Sequence, residues 1–411
     1  MPVRPSTGSV KVTVNETAVR RQSVCEMSLA DGKDRLRRII RPQVLAASAY
    51  QAGDPGNRIK LDAMENPYPL PDSLRRELSE ILASAPLNRY PDPSAQALKQ
   101  QLLTTLGLSS GQPLLLGNGS DELIQLIAMA VAGTDVTLMA PEPGFAMYRL
   151  IAAASGCRYS GVPLKADDFA LDADAMLAAI DREQPAVIFI AWPNNPTGNL
   201  FDRASVEKII TAAPGLVVMD EAYHAFAGDS FLPSLADFDN LVVLRTLSKL
   251  GLAGLRIGVM AGPGDWIEQF DKLRLPYNVG ILNQITAAGV LAHHDVLDKQ
   301  VQAILEERER LLAALEAMPG IRVWPSVTNF LLLRTESVSA DEVFQGLLDR
   351  GVLIKNLHGS HPLLENCLRV TVGMPEENDC GVRGTAPLCG NGLVSTSHIP
   401  PNAYSRNKRQ T

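Results

Sequence analysis

From Leu61 onward, short apolar runs alternate with segments of helical period. The runs typical of strands are "PLLLG" (113–117), "VTLMA" (136–140), 158–163, "AVIFIAW" (186–192), "LVVMD" (216–220) and "LVVLRT" (241–246). Helical spacing of apolar residues is found over 120–133, 146–155, 172–181 and 204–213. The run at 186–192 is almost wholly apolar, as in a strand buried on both faces. This alternation predicts βαβ units, a mainly parallel sheet and the α/β fold class.

The pattern of apolar and polar residues along the chain changes after Pro276. Two helical patterns are followed by a mixture of strands and one helix; the helices are expected at 281–292, 300–318 and 340–350, and the strands at 326–334, 351–355 and 367–373. Such a mixture is typical of a separate α+β unit. We therefore predict a large domain over 61–279 and a small α+β domain over 280–378, preceded by an N-terminal arm over 38–60.

Both ends of the chain lack this organisation. Residues 1–37 are polar and have no sustained apolar period, and 379–411 are rich in Gly, Pro, Ser, Thr and Asn. Segments of this composition bury too little apolar surface to offset the entropy of ordering them. We predict two disordered tails, and in particular no helix over 379–392.

Composition excludes several classes of partner. The chain has 411 residues, of which 46% are hydrophobic and 20% charged, and its net charge is -7. A mild acidic excess argues against nucleic acid or an anionic membrane as the main partner, and no apolar run is long enough to span a bilayer. The five cysteines form no C-x-x-C pair and His293-His294 has no matching ligand set, so we expect reduced thiols, a cytoplasmic location and no metal site.

Several motifs fall where predicted strands end. "GNGSDE" (117–122), "NNPTG" (194–198) and "TLSK" (246–249) each follow a strand, and Asp220 ends another. Ligands of open parallel sheets bind in the crevice outside the carboxyl ends of the strands. These separate pieces of sequence are therefore expected to converge on one crevice.

Residue types at these positions suit one cofactor. Lys249, buried at a strand end, is a candidate amine for covalent catalysis, because desolvation lowers the pKa of a lysine. Asp220 could pair with a pyridinium nitrogen, and Tyr223 and Asn195 could bind a phenolate oxygen. Alone, Lys249 would be read as a surface lysine, and Asp220 as a turn residue.

The other end of such a cofactor is a phosphate. A helix beginning at Ser120, with Ser120 as its cap, offers free backbone N–H groups and a positive dipole end. Thr246, Ser248 and Arg256 supply further donors. Phe145 could lie against a ring face, although a plain core position is the alternative. Together these are the parts of a pyridoxal phosphate (PLP) site.

The whole set of motifs resembles a known family. "GNGSDE", "PGFAMY" (143–148), "WPNNPTGN" (192–199), "MDEAYHAF" (219–226), "RTLSKLGLAGLRIG" (245–258) and "LRVTVG" (368–373) look like the fold-type I, class II PLP-dependent aminotransferases. "SAY" (48–50), "KLDAMENPYPLP" (60–71) and "NRYPDP" (88–93) narrow the resemblance to the histidinol-phosphate aminotransferase family. The resemblance runs from about Arg38 to Asn378.

This resemblance implies a role for each matching residue. Lys249 would bind the cofactor and move the substrate Cα proton, Asp220 would hold the pyridine nitrogen, and Phe145 would stack on the ring. The remaining cofactor contacts would come from Tyr223 and Asn195 at the ring hydroxyl and from Ser120, Asp121, Thr246, Ser248 and Arg256 at the phosphate. Tyr90 would reach the cofactor phosphate of the neighbouring subunit, which implies a homodimer. The substrate would be held by Tyr50, Asn195 and Arg369.

The implied reaction, in histidine biosynthesis, transfers the amino group between L-histidinol phosphate and 2-oxoglutarate. Glutamate is one of its two products. Three alternatives stay open. A phosphothreonine decarboxylase or an aromatic or broad-range aminotransferase could use the same scaffold. A PLP-binding protein that lost catalysis with its atypical C-terminus is the third. Tyr90 as a surface residue and Arg369 in an internal ion pair are the plainer alternatives for those two positions.

Overall fold

The computed structural model describes residues 34–47 and 53–389, which fall in two compact units, Met1–Tyr50 and Gln51–Thr411. In the first unit, helices α1 (34–39) and α2 (Pro42–Ala46) are described. Residues 34–37 are therefore helical, unlike the predicted tail, and Arg37 and Asp34 form an ion pair one turn apart in that helix. The predictions for 1–33, Tyr50 and 390–411 concern residues outside the described ones.

Short strands and longer helices alternate through the second unit. Its strands are β1 (Ile59–Lys60), β2 (Leu114–Asn118), β3 (Thr137–Glu142), β4 (Arg158–Pro163), β5 (Val187–Ala191), β6 (Leu216–Asp220), β7 (Leu241–Thr246), β8 (Ile257–Ala261), β9 (Ile321–Val323), β10 (Phe330–Thr335), β11 (Val352–Leu353), β12 (Lys355–Asn356) and β13 (Cys367–Thr371). Its helices are α3 (Asp72–Ala83), α4 (Gln96–Thr105), α5 (Ser120–Ala130), α6 (Met147–Ser155), α7 (Ala173–Glu183), α8 (Arg203–Ala212), α9 (His224–Ala227), α10 (Gly264–Asp271), α11 (Ile281–Leu291), α12 (His294–Glu316), α13 (Ala340–Asp349) and α14 (Pro375–Cys389).

A seven-stranded sheet organises the first part of this unit. Its strand order is β2-β8-β7-β6-β5-β3-β4, and only β8 runs antiparallel to its neighbours. Asp220 is in register with Ala191 on one side and Leu244 on the other, so the carboxyl ends of β5, β6 and β7 lie along one edge. The predicted α/β fold class with a mainly parallel sheet is confirmed.

Both faces of this sheet are covered. In β5, Ile188 and Ile190 pack into the apolar cluster of one face, and Val187 and Phe189 into that of the other. Successive strand side chains point to opposite faces, which explains why a strand covered twice is apolar throughout. Helices α7 and α8 begin where Asp172 and Asp202 accept backbone N–H groups of the first turn, as N-caps do.

The second sheet is antiparallel, with the order β12-β13-β10-β9, and packs with α12, α13 and α14 around its own apolar cluster. Strand β1 pairs in parallel with β11, which brings Leu61 into the same cluster. Strand β10 begins later than predicted, because Ser326 and Thr328 hydrogen-bond to each other and to nearby backbone instead of joining the ladder. The exact boundaries between the two domains stay a prediction.

The C-terminal helix α14 corrects one expectation. The prediction that 379–392 contains no helix is wrong for 379–389. Cys389 and Thr385 are buried on one face of α14, and the absent side chain of Gly384 lets Leu347 approach closely. Tertiary burial thus outweighs the low helix propensity of two glycines and Pro387. In the part of the chain described, no helix combines the length and apolar character needed to cross a membrane.

Candidate active site

A cleft of about 590 Å³ opens at the carboxyl edge of the large sheet. Its volume falls within the range of small-molecule sites. Polar and charged side chains from five separate stretches of sequence line it, namely Ser120, Asp121, Asn195, Asp220, Tyr223, Thr246, Ser248, Lys249 and Arg256. Met64, Phe145, Ala191, Pro193 and Ala222 complete the wall. The predicted convergence of motifs on one crevice is therefore what the fold produces.

Lys249 lies on the short 3-10 helix Ser248–Leu250, directly after β7. Its Nζ donates to the carbonyl oxygen of Ala63 at 2.9 Å and lies 5.8 Å from the centre of the Tyr223 ring. Burial, reinforced by the charge of Arg369, lowers the pKa of Lys249 to about 8. The amine is therefore deprotonated far more often at neutral pH than a solvent-exposed lysine.

Asp220 ends β6 at the base of the cleft and is 4% exposed. Its two carboxylate oxygens accept hydrogen bonds from the Tyr148 hydroxyl at 2.7 Å and from the Ala222 N–H at 3.2 Å. Burial raises the pKa of Asp220 to about 6, against the lowering effect of the Tyr148 hydrogen bond. The site thus contains a fixed, desolvated carboxylate that a cationic ring nitrogen would complement.

Asn195, Tyr223 and Arg369 form a hydrogen-bonded chain at the side of the cleft. The Asn195 amide donates to the Tyr223 hydroxyl at 3.1 Å and its oxygen accepts from Arg369 Nη1 at 2.5 Å. Arg369 Nη2 also donates to the carbonyl oxygen of Asp62 at 3.1 Å. Burial raises the pKa of Tyr223, so its phenol stays protonated and can donate.

The phosphate-binding end is built by the turn between β2 and α5. Gly119, with φ at +82°, is the residue before the helix, and Ser120 is its first helical residue without a side-chain capping bond. The prediction that Ser120 caps the helix is therefore wrong; glycine occupies that position because a side chain there would be strained. A Cβ on Gly258 would lie 2.5 Å from the Ser120 nitrogen, so this turn also requires glycine in β8.

Side-chain donors surround that turn. Arg256 Nη1 donates to Ser248 Oγ at 3.4 Å, and Arg256 Nη2 lies 3.8 Å from the Asp121 carboxylate. The Thr246 hydroxyl and the Ser248 hydroxyl are 2.9 Å apart. Helix N-termini with nearby basic and hydroxyl groups bind phosphate well.

Among the described residues, two predicted site residues, Tyr90 and Arg369, are not among those that line the cleft. Tyr90 is 78% exposed and stacks on Tyr277, with ring centres 4.4 Å apart. Tyr50 lies outside the described residues. Phe145, by contrast, lines the cleft and packs edge-on against Tyr148.

Sequence reasoning missed two groups of contacts. Tyr148 lies in the quoted "PGFAMY" motif, three residues after Phe145 and in the first turn of α6, so the motif itself pointed to this part of the site. The carbonyls of Asp62 and Ala63 bind Arg369 and Lys249, and Met64 is held by Asn329 and Thr371. Since these are main-chain contacts, no residue type signals them.

The residues present fit pyridoxal phosphate. A buried amine of lowered pKa, a buried carboxylate and a helix N-terminus line one cleft. An aldehyde, a pyridine nitrogen and a phosphate would each find a complementary group there. The fold and the cleft together define an α/β enzyme of the PLP-binding type.

Comparison with known proteins identifies the family. The model of the family described as aminotransferase class I and II matches residues 57–380. The chain belongs to this family, and the resemblance predicted from the motifs is confirmed.

Within this family, the chain is most usefully compared with individual relatives. The chain is 53% identical over 350 residues to histidinol-phosphate aminotransferase 1 of Ralstonia nicotianae, covering 84% of this chain and 93% of that one. It is 51% identical to histidinol-phosphate aminotransferase 2 of Nitrosococcus oceani, over 84% and 96% of the two chains. Among solved structures, histidinol-phosphate aminotransferase of Sinorhizobium meliloti, in complex with pyridoxal-5'-phosphate, superposes with a TM-score of 0.76 at 25% identity, covering 85% of this chain and 97% of that one.

Proposed function

We propose that this chain is a PLP-dependent aminotransferase that acts on L-histidinol phosphate and 2-oxoglutarate. The observation that carries the proposal is the pairing, in one cleft, of a lysine with lowered pKa and a buried aspartate. The similarity to relatives named histidinol-phosphate aminotransferases supports the substrate.

The cofactor would be held at four points. Lys249 would bind its aldehyde carbon, Asp220 its ring nitrogen, and Asn195 with Tyr223 its ring hydroxyl. Its phosphate would lie at the N-terminus of α5, and the ring would lie against Phe145. Ser120, Asp121, Thr246, Ser248 and Arg256 are the proposed phosphate contacts. When bound, pyridoxal phosphate supplies an electron sink for bonds at the substrate Cα and carries the amino group between substrates.

Lys249 is the proposed base. An amine with a pKa of about 8 can take the Cα proton of the substrate and return it near neutral pH. The Ala63 carbonyl accepts its hydrogen bond and so orients the amine. Since Lys249 lies on the turn after β7 and Asp220 ends β6, adjacent strands hold the acid and the base.

Arg369 is the proposed anchor for the anionic end of the substrate. Arg369 is 8% exposed, and its guanidinium is oriented by Asn195 and the Asp62 carbonyl. A guanidinium fork binds both carboxylates and phosphates in bidentate fashion, which suits an enzyme that accepts glutamate in one half-reaction and a phosphate monoester in the other. Tyr50 is proposed as a further substrate contact.

The test is a pair of assays on the purified chain loaded with PLP. Histidinol phosphate and 2-oxoglutarate should yield glutamate, and absorbance of the bound cofactor should change on adding histidinol phosphate alone. Absence of glutamate from folded, PLP-loaded protein would refute the substrate assignment. Carbon dioxide from threonine phosphate would instead indicate the decarboxylase, and equal rates with aromatic amino acids the broad-range enzyme. PLP binding without any turnover would indicate a catalytically impaired protein.

A homodimer is part of the proposal. Tyr90, Leu87, Leu275 and Tyr277 are large side chains with at least 40% of their surface exposed. Exposed aromatic side chains such as the stacked pair Tyr90 and Tyr277 are typical of an interaction surface, and Tyr90 would reach the cofactor phosphate of the partner from there. Tyr90→Phe should weaken PLP binding while the protein stays dimeric in analytical ultracentrifugation; a monomeric wild type would refute the dimer. The four described cysteines are free thiols, in keeping with the cytoplasm as the proposed location.

A further inference from the structure

Tyr148 makes the shortest contact to the carboxylate proposed to hold the ring nitrogen. Its hydroxyl donates to Asp220 Oδ2 at 2.7 Å, while Oδ1 accepts from the Ala222 N–H at 3.2 Å. The two donors approach different oxygens, so together they fix the plane of the carboxylate. Tyr148 itself does not line the cleft.

The phenol is held in place by aromatic packing. Tyr148 is 1% exposed, stacks on Phe189 with ring centres 4.8 Å apart, and meets Phe145 edge-on at 5.4 Å. Phe189 belongs to β5 and is itself fully buried. Tyr148 therefore connects two cofactor contacts, the proposed ring-stacking residue Phe145 and the proposed nitrogen-binding residue Asp220.

Asp220 needs such a donor because its surroundings oppose ionisation. Burial raises its pKa most, and the nearby acids Asp121 and Glu221 raise it further. The Tyr148 hydrogen bond and the Ala222 N–H act in the opposite direction. Burial also raises the pKa of Tyr148 well above its usual value, so the phenol stays a proton donor throughout the physiological range.

We propose that Tyr148 is a positioning residue for the cofactor: its hydroxyl holds the Asp220 carboxylate ionised and oriented toward the ring nitrogen. This inference rests on the proposed function only in naming pyridoxal phosphate as the group that Asp220 faces. The hydrogen bond itself joins two side chains of the protein and does not require a bound cofactor.

Tyr148→Phe removes the hydroxyl and leaves the aromatic packing. A hydrogen bond to a charged group is worth enough to shift the pKa of Asp220 upward by about one unit and to raise the Kd for PLP roughly tenfold. The first quantity is read in the apoprotein by carbon NMR of labelled aspartate carboxyls, with Asp220→Asn assigning the signal. The second is read by fluorescence titration with PLP at several pH values.

The matched control is Tyr159→Phe. Tyr159 is also a tyrosine beside a carboxylate, Glu142, and is half-buried, but it does not line the cleft. This control should leave the pKa of Asp220 and the Kd for PLP unchanged. Thermal unfolding of both variants separates a loss of stability from a loss of positioning, because lost stability alone shifts no pKa.

A double-mutant cycle completes the test. If Tyr148 acts through Asp220, Tyr148→Phe should add little to the Kd in the Asp220→Asn background. Additive losses, or an unchanged pKa of Asp220 in folded Tyr148→Phe, would overturn the inference. Wild-type protein that fails to bind PLP would refute the proposed function instead, while the apoprotein titration would still decide the role of Tyr148.

Discussion

Replacing Arg245 with methionine should destabilise the protein in a way that depends strongly on pH. Glu221, the residue after Asp220, is fully buried and accepts hydrogen bonds from Arg245, Ser230 and the Phe231 N–H. Arg245 Nη2 lies 2.9 Å from the carboxylate, and only 12% of the Arg245 side chain is exposed. Arg245→Met removes the positively charged partner of this carboxylate and keeps most of the side-chain volume.

The magnitude follows from protonation. Burial already raises the pKa of Glu221, and Arg245 is the largest effect lowering it. Without Arg245, the pKa of this carboxyl in the folded protein would rise further, whereas the unfolded chain would ionise it near the ordinary value of 4.5. At about 1.36 kcal/mol per pKa unit, a carboxyl that stayed protonated up to pH 7 would cost at most about 3 kcal/mol of stability.

The sign of the pH dependence is therefore fixed. When folding raises the pKa of a carboxyl, the protein becomes less stable as pH rises above the pKa that this carboxyl has in the unfolded chain. Because the wild-type pKa is already raised, the difference between variant and wild type should stay below about 3 kcal/mol at pH 7 and should shrink as pH falls toward 5. Urea unfolding of the apoproteins, followed by tryptophan fluorescence between pH 5 and pH 7.5, measures it.

A surface pair provides the control. Arg149 pairs with Glu142, but 59% of its side chain is exposed, so Arg149→Met should cost much less and show no comparable trend with pH. An Arg245→Met penalty that is equal at pH 5 and pH 7 would show that lost packing, not the buried charge, dominates, and would refute the reasoning.

Further outcomes can be tested separately. Capture of PLP by the apoprotein should accelerate with a midpoint near pH 8, the pKa of Lys249, and level off above it; a rate independent of pH would contradict this. Lys249→Ala should abolish covalent capture while leaving the fold intact by circular dichroism. Gly258→Ala should raise the Kd for PLP at least about tenfold, because its Cβ would clash with backbone, whereas Gly254→Ala, with open space around it, should not. Cys389→Asp should lower the stability of the protein by about 2 kcal/mol or more, because it places a charge on the buried face of α14. Arg383→Asp, at an exposed position of the same helix, is the control in the same urea assay. Equal effects of the two substitutions would argue against the docked helix.

The strands carrying the site were predictable because they are buried on both faces. Runs such as 216–220 and 241–246 match the observed strands to the residue, since only a strand covered twice is apolar along its whole length. The polar residues at the ends of these strands then indicate where the site lies. Strand β8 was not predicted, because its antiparallel insertion between β2 and β7 depends on contacts that no local pattern encodes.

The contacts that sequence reasoning missed are tertiary. Tyr148 and Asp220 are 72 positions apart, and an ordinary core tyrosine would show the same pattern. Helix α14 was missed because its glycines and proline argue against a helix locally, while burial of Cys389 and Thr385 favours it. Local propensity gives only a weak preference that packing can reverse.

The stretch 62–64 has a consequence for mutagenesis. Its three consecutive carbonyl oxygens accept hydrogen bonds from Arg369, Lys249 and Asn329, so the main chain and not the side chains makes these contacts. Such groups are shared by every amino acid, and a codon-randomised library at Ala63 should therefore retain many functional members. Proline is the expected exception, because its ring restricts the backbone on which those three acceptors depend.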